Sequence, residues 1–298
     1  MSNQEIIKTS KYEYISEVKE YMDILRCNKS SNTINTYFTS IDNFLDYSNV
    51  ESFDDIVAIT KSQCQAYQNK LKAFGLKPKS INTYTRNVKV FLNWLKDNEK
   101  IEENPFKIKG IKESNKKRSF LNQDEVTAMY KACKNVEERA IFALLVTLGL
   151  RRSELVNLKV SDISGYRVDV IGKGDKYRPL FMQDDVLELI QQHLNTRNRK
   201  DFEYVFYSRM GKPYSPESIR LKIKSLAKRA GLDEKRIDEL TPHSLRRTAA
   251  TNLIERNVNL RTVQGFLGHA SINTTLLYAN ITSKGVENAM RSNPTQLQ

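Results

Sequence analysis

Two stretches within the first hundred residues nearly repeat each other, and the pattern they share restricts how the chain can fold. "INTYFTSIDNFLDY" (34–47) aligns with "INTYTRNVKVFLNW" (81–94), pairing Ile41 with Val88, Phe44 with Phe91 and Leu45 with Leu92. Apolar residues at i, i+3 and i+4 make one stripe along an α-helix. Each copy follows another amphipathic segment, "YISEVKEYMDILRC" before the first and "KSQCQAYQNKLKAFG" before the second. Four helices in two αα-hairpins are expected, with Trp94 in their core. The polar faces carry Lys70, Lys72, Lys77, Lys79, Arg86 and Lys89, which can track phosphates or simply face water.

At 298 residues the chain is too long for one small core and suits two domains. The seam is "NPFKIKGIKESNKKRSF" (104–120), where Pro105, Gly110 and a run of Lys and Arg read as a flexible basic linker. Lys116, Lys117 and Arg118 in it are candidate backbone contacts to a polyanion. Residues 1–103 then form a helical domain and 121–298 a larger one. In the second half, "QDEVTAMYKACK", "EERAIFALLVTLG", "DDVLELIQQHL", "PESIRLKIKSLAKRAGL" and "PHSLRRTAATNLIERN" read as helices, with Gly149 stopping the second. "YRVDVIGKGDKYRPLFM" instead alternates, Val168 and Val170 against Arg167 and Asp169, around a glycine-flanked turn, which is a β-hairpin. The expected fold is mainly α, with a small β-hairpin or sheet in the second domain.

An excess of 48 Lys+Arg over 35 Asp+Glu, net +13, suits a polyanionic partner, nucleic acid first, as well as it suits a basic surface that only meets solvent. The 3 cysteines, Cys27, Cys64 and Cys133, are scattered and lack metal-type spacing, so neither a disulfide frame nor a metal site is expected. "AIFALLVTLGL" is too short to span a bilayer and the first residues do not read as a signal peptide, so the expected setting is cytoplasmic.

Several short motifs then fall in order. "GLRRSEL" places Arg151 just after a helix stop, and "GKGDK" puts Lys173 at the hairpin tip. "TPHSLRRT" offers Thr241 as N-cap, Pro242 as first helical residue, and His243 and Arg246 one turn apart. In "LGHASINTTLLYAN", Gly268 can end one helix and a new one can carry Tyr278, nine residues after His269. Each residue alone has an ordinary explanation as a surface charge or a rim aromatic. Together, Arg151, Lys173, His243, Arg246, His269 and Tyr278 resemble the signature of the tyrosine recombinase (phage integrase) family, Xer-like in size and layout. The family often has histidine where this chain has Arg247.

The resemblance implies a helical core-binding domain, a catalytic domain, and a segment after the tyrosine, "ITSKGVENAMRSN", that docks in a neighbouring subunit. It implies site-specific recombination by a homotetramer on two double-stranded DNA sites with inverted half-sites, through a 3′-phosphotyrosyl intermediate and a Holliday junction. The chemistry suits the residues. Two guanidiniums, always charged and fork-shaped, can clamp the non-bridging oxygens of a phosphodiester without a metal. Histidines 243 and 269 add hydrogen bonds, His243 can accept the phenolic proton of Tyr278, and Lys173 can protonate the 5′ leaving oxygen. No cofactor or metal is expected. Two other readings remain open at this point: a type IB topoisomerase with the same nucleophile, and a non-catalytic DNA-binding protein of the same fold.

Overall fold

The structure, a computed structural model, describes residues 9–112, 120–172, 177–199, 201–208 and 210–268, with Ile272 and Leu276. The chain divides into two compact units, 1–116 and 117–298. The first holds α1 (Ser16–Asn28), α2 (Ser31–Tyr47), α3 (Phe53–Val57), α4 (Lys61–Ala73) and α5 (Pro78–Asp97). The repeated stripe forms its core: Ile41, Phe44, Leu45, Val88, Phe91 and Leu92 are all fully buried, and α2 packs chiefly on α5. Between these helices Asn87 Nδ2 donates to Ser40 Oγ at 3.1 Å, and these two residues are equivalent positions of the repeat. Trp94 lies at the rim of this core, half-buried against Tyr21, while Leu95 is fully buried. A helix turns about 100° per residue, so position 94 falls outside the stripe of 88, 91, 92 and 95.

The seam begins later than residue 104. Asn104 donates to Lys89 O (3.1 Å) and Asn93 Oδ1 (2.6 Å), Phe106 is buried against Phe44, and Gln68 Nε2 donates to Lys109 O. The Asn82 side chain then grips the backbone at Ile111 from both sides, donating to its carbonyl (2.9 Å) and accepting its N–H (2.7 Å). Residues 104–111 are therefore part of the first unit and not a flexible linker. Proline, glycine and lysine concealed an apolar anchor, Phe106, and a side-chain amide that stands in for a paired strand. Lys116, Lys117 and Arg118 lie outside the described residues.

The second unit contains α6 (Gln123–Lys131), α7 (Val136–Thr147), α8 (Arg152–Asn157), β1 (Ile163–Ser164), β2 (Arg167–Ile171), β3 (Tyr177–Phe181), α9 (Asp184–Thr196), α10 (Pro216–Arg229), α11 (Glu234–Glu239), α12 (Pro242–Glu255) and α13 (Leu260–Leu267). Residues Ala140 to Val146 of α7 are all buried, as suits a helix apolar all round, and α9 and α12 pack on it. The antiparallel sheet runs β1-β2-β3, with Val168 opposite Leu180 and Val170 opposite Arg178. Val168, Val170, Leu180 and Arg178 face inward. The hairpin and long helices follow the sequence pattern; α3, α8, α11 and β1 are too short to show a period.

The Asn82 clamp is testable. Asn82→Ala should cost the first unit about 1–2 kcal/mol, the usual worth of two hydrogen bonds, in a denaturant melt. Trypsin should then cut after Lys109 faster than in the unaltered protein. Unchanged digestion there would show that Phe106 alone holds the segment.

Candidate active site

The site forms where α7, α12 and α13 meet. After α7 the chain turns at Gly149, whose φ of +60° is one that L side chains rarely adopt. A Cβ there would also stand 3.3 Å from Ala249 Cβ and 3.4 Å from Phe266, so glycine suits both the turn and its close approach to α12 and α13. The turn delivers Arg151 to the start of α8. On α12, Thr241 caps the helix by accepting the Ser244 N–H, and Pro242 opens it. That cap occupies one of the otherwise unpaired N–H groups at the start of α12. His243 is exposed in the first turn, and Arg246, one turn on, is 1% exposed.

The last carbonyls of α13 would be left without partners by the helix itself. Three arginines satisfy them. Arg178 Nε donates to Phe266 O (3.0 Å), Arg246 Nη2 to Leu267 O, and Arg151 Nη2 to Gly268 O (2.9 Å). Arg246 Nη1 also donates to Gly149 O at 2.6 Å. Gly268 closes the helix at φ +60°, and a Cβ on it would meet Arg178 Nη1 at 3.0 Å.

One buried carboxylate lies among these cations. Glu154 Oε1 accepts from Arg151 Nη1 (2.6 Å) and Arg178 Nη1 (2.9 Å); Oε2 accepts from the Arg151 backbone N–H (2.7 Å) and Arg178 Nη2 (2.9 Å). Arg246 Nη1 is 3.7 Å from Oε2. Burial pushes the Glu154 carboxyl up, but the hydrogen bonds from Arg178 and Arg151, with the Arg178 charge, outweigh it and hold the group at about 2. Three guanidiniums around one carboxylate leave an excess of positive charge, which suits an anionic ligand with several oxygens.

Of the six residues singled out in the sequence, Arg151 and Arg246 are brought together and His243 lies in the first turn of the same helix as Arg246. Lys173, His269 and Tyr278 lie outside the described residues; Lys173 falls in sequence between β2 and β3, and the continuous described chain ends at Gly268, just before His269. Glu154 and Arg178 are the residues the motifs passed over. Glu154 reads in sequence as a simple partner of Arg151. Arg178 left one signal: it alternates with Leu180 on the inward face of a strand, where a charge needs a reason. In the first unit Lys70, Lys77, Lys79, Arg86 and Lys89 are all exposed, and Lys70 Nζ sits 4.5 Å over the Tyr47 ring. Among the described residues no group of acids, histidines and cysteines is placed to hold a metal, and no helix is long and apolar enough to cross a membrane.

Residues 119–284 match the phage integrase family, and residues 18–102 match the phage integrase N-terminal SAM-like domain. The chain belongs to the phage integrase family. It is a Xer-like tyrosine recombinase, an enzyme of site-specific DNA recombination. It is 30% identical over 293 residues to the tyrosine recombinase XerA of Pyrococcus furiosus, covering 95% of this chain and 94% of that one. The crystal structure of a XerA recombinase is similar over 96% of this chain and 99% of that one, with 26% identity and a TM-score of 0.53. A lambda integrase tetramer bound to a Holliday junction shares the fold at TM-score 0.71 and 21% identity, over 88% of this chain and 76% of that one. These relatives do not favour the topoisomerase and non-catalytic readings.

Stability of the recombinase should carry the mark of Glu154. Its carboxyl lies at about 2 when folded, against an ordinary 4.5, so the stabilisation is complete above the ordinary value and is lost as pH falls through about 2. The shift corresponds to roughly 3 kcal/mol at neutral pH. Urea melts of the parent and of Glu154→Gln should therefore differ most near neutrality, draw together as pH falls below about 4.5, and converge at about pH 2 and below. A gap that stays constant with pH would mean that the cluster does not depend on the Glu154 charge.

Proposed function

We propose that the recombinase cuts and rejoins DNA through Tyr278, with Arg151 and Arg246 holding the scissile phosphate. The observation that carries this reading is the convergence of these two arginines, from distant parts of the sequence, on the end of α13 in a site with surplus positive charge. In the proposed step His243 accepts the phenolic proton and His269 adds a hydrogen bond to the phosphate. The Tyr278 oxygen bonds to phosphorus as the bond from phosphorus to the 5′ oxygen breaks. Lys173, on its hairpin turn, gives that oxygen the proton it needs, and a 3′-phosphotyrosine is left. Attack by a 5′-hydroxyl of another strand reverses the step and frees Tyr278, so no ATP or metal is consumed.

The reading continues to assembly. A homotetramer would act on two double-stranded sites with inverted half-sites, through a Holliday junction, as the shared fold with the junction-bound integrase suggests. The first unit would act as the core-binding domain, with Lys70, Lys77, Lys79, Arg86 and Lys89 on phosphates, and Lys116, Lys117 and Arg118 would continue the contact. Residues from 121 onward would form the catalytic domain, with the exchange segment at its end, in the cytoplasm. Strand exchange between two distinct duplexes tests the function. Product from two duplexes is expected, whereas relaxation of one duplex without exchange would return the topoisomerase reading.

The roles of Tyr278 and Lys173 can be separated on a substrate with sulfur at the 5′ bridging position, whose thiol leaves without a proton. Tyr278→Phe should trap no covalent DNA on either substrate. Lys173→Ala should slow cleavage of ordinary DNA by about 10²–10⁴, the range for a positioned general acid, and recover most of its rate on the sulfur substrate. Arg151→Ala and Arg246→Ala should recover far less, since their task concerns the non-bridging oxygens. Equal Lys173→Ala defects on both substrates would remove that residue from the acid role.

A further inference from the structure

Arg178 belongs to none of the motif positions, yet all three nitrogens of its guanidinium are committed. Nη1 and Nη2 each reach one Glu154 oxygen at 2.9 Å, and Nε reaches the Phe266 carbonyl at 3.0 Å. It is 8% exposed and is the second residue of β3, five positions after Lys173 in the sequence. Its partner is saturated: a carboxylate offers about four lone-pair directions, and Glu154 fills them with two donors from Arg178 and two from Arg151. Arg246 Nη1, at 3.7 Å from Oε2, pairs in charge but stands beyond a normal N–H···O hydrogen bond.

Removing Arg178 would vacate two of those directions in a buried place, where an unsatisfied carboxylate is costly. Among the described residues, the cations facing Glu154 besides Arg178 are Arg151, at the start of α8, and Arg246, on α12; α13 presents backbone carbonyls. Glu154 would therefore turn to the same two guanidiniums that the phosphate requires. We propose that Arg178 is a positioning residue: it keeps Glu154 occupied, so that Arg151 and Arg246 retain donors for the DNA phosphate. The inference rests on the assignment of those two arginines to the phosphate, and it gives Arg178 a role beyond joining β3 to α13.

A merely structural arginine and a positioning one both predict slower cleavage when it is lost. They differ in what Glu154 then does. The measurement is single-turnover formation of the covalent complex on a nicked site from which the cleaved fragment diffuses away, with binding to the intact site measured in parallel. Arg178→Met should bind normally but cleave about 10²-fold more slowly, the cost of misplacing catalytic groups by an ångström. Adding Glu154→Gln should speed that variant about tenfold, because a neutral amide does not capture the freed guanidiniums. Glu154→Gln alone should be slower than the parent, so the gain appears only where Arg178 is absent.

Parent-like cleavage by Arg178→Met, or a double variant no faster than Arg178→Met, would overturn the proposal. If thermal melts show that Arg178→Met does not fold, Arg178→Lys with and without Glu154→Gln makes the same comparison. Lysine keeps the charge but cannot serve both carboxylate oxygens and the Phe266 carbonyl. Parent protein and Tyr278→Phe run alongside. A parent that forms no covalent complex would refute the catalytic reading itself, and with it this inference, whereas a trapped parent with no recovery in the double variant refutes this inference alone.

Discussion

Three guanidiniums held at one helix end repel each other, and the second unit can keep them there because Glu154 lies among them. Taking that carboxylate out of water is costly, and four charge-assisted hydrogen bonds offset the cost. The exchange works in both directions: the arginines keep Glu154 ionised, and Glu154 lets them crowd. A carboxylate balances only one of three charges. Under the proposed function, the remainder is what a phosphodiester would neutralise.

The end of α13 serves as the common anchor. Its final carbonyls carry the negative end of the helix dipole and need donors, and the arginines reach it from the turn after α7, from β3 and from α12. Gly149 and Gly268 make this possible from opposite sides. The first lets α7, α12 and α13 close on each other; the second leaves room beside Arg178 as the chain leaves α13. The start of the unit is tied to α12, where the Leu121 N–H donates to Thr248 Oγ1, and to α11, where Arg236 holds Glu125 and the Phe120 carbonyl. Backbone amides and carbonyls, rather than side-chain pairs alone, set where the charged groups stand.

Periodicity was informative wherever a helix was long. The stripe shared by Ile41, Phe44 and Leu45 with Val88, Phe91 and Leu92 is the core of the first unit, because a helix with one apolar face has only one way to hide it. The same signal fails for α8 and α11, which are too short to complete a pattern. Composition misled at residues 104–111. A stretch rich in lysine, with proline and glycine, reads as a tether, but Phe106 enters the core and Asn82 pairs with the Ile111 backbone. Contacts between residues so distant in sequence leave no local trace.

The sequence by itself determined the helical class, the hairpin, the division into two units and the order of the motif residues, because each follows from spacing along the chain. It also singled out Arg151 and Arg246, through the turn and cap that surround them. Only the tertiary structure decided that these two arginines meet, that Arg246 is buried, and that Glu154 and Arg178 complete the cluster. The physical reason is that a charge's role depends on what lies within a few ångströms of it. For Arg178 those neighbours are Glu154, in the turn-and-helix segment before the sheet, and Phe266, at the end of α13. The chain brings them together only when its core closes.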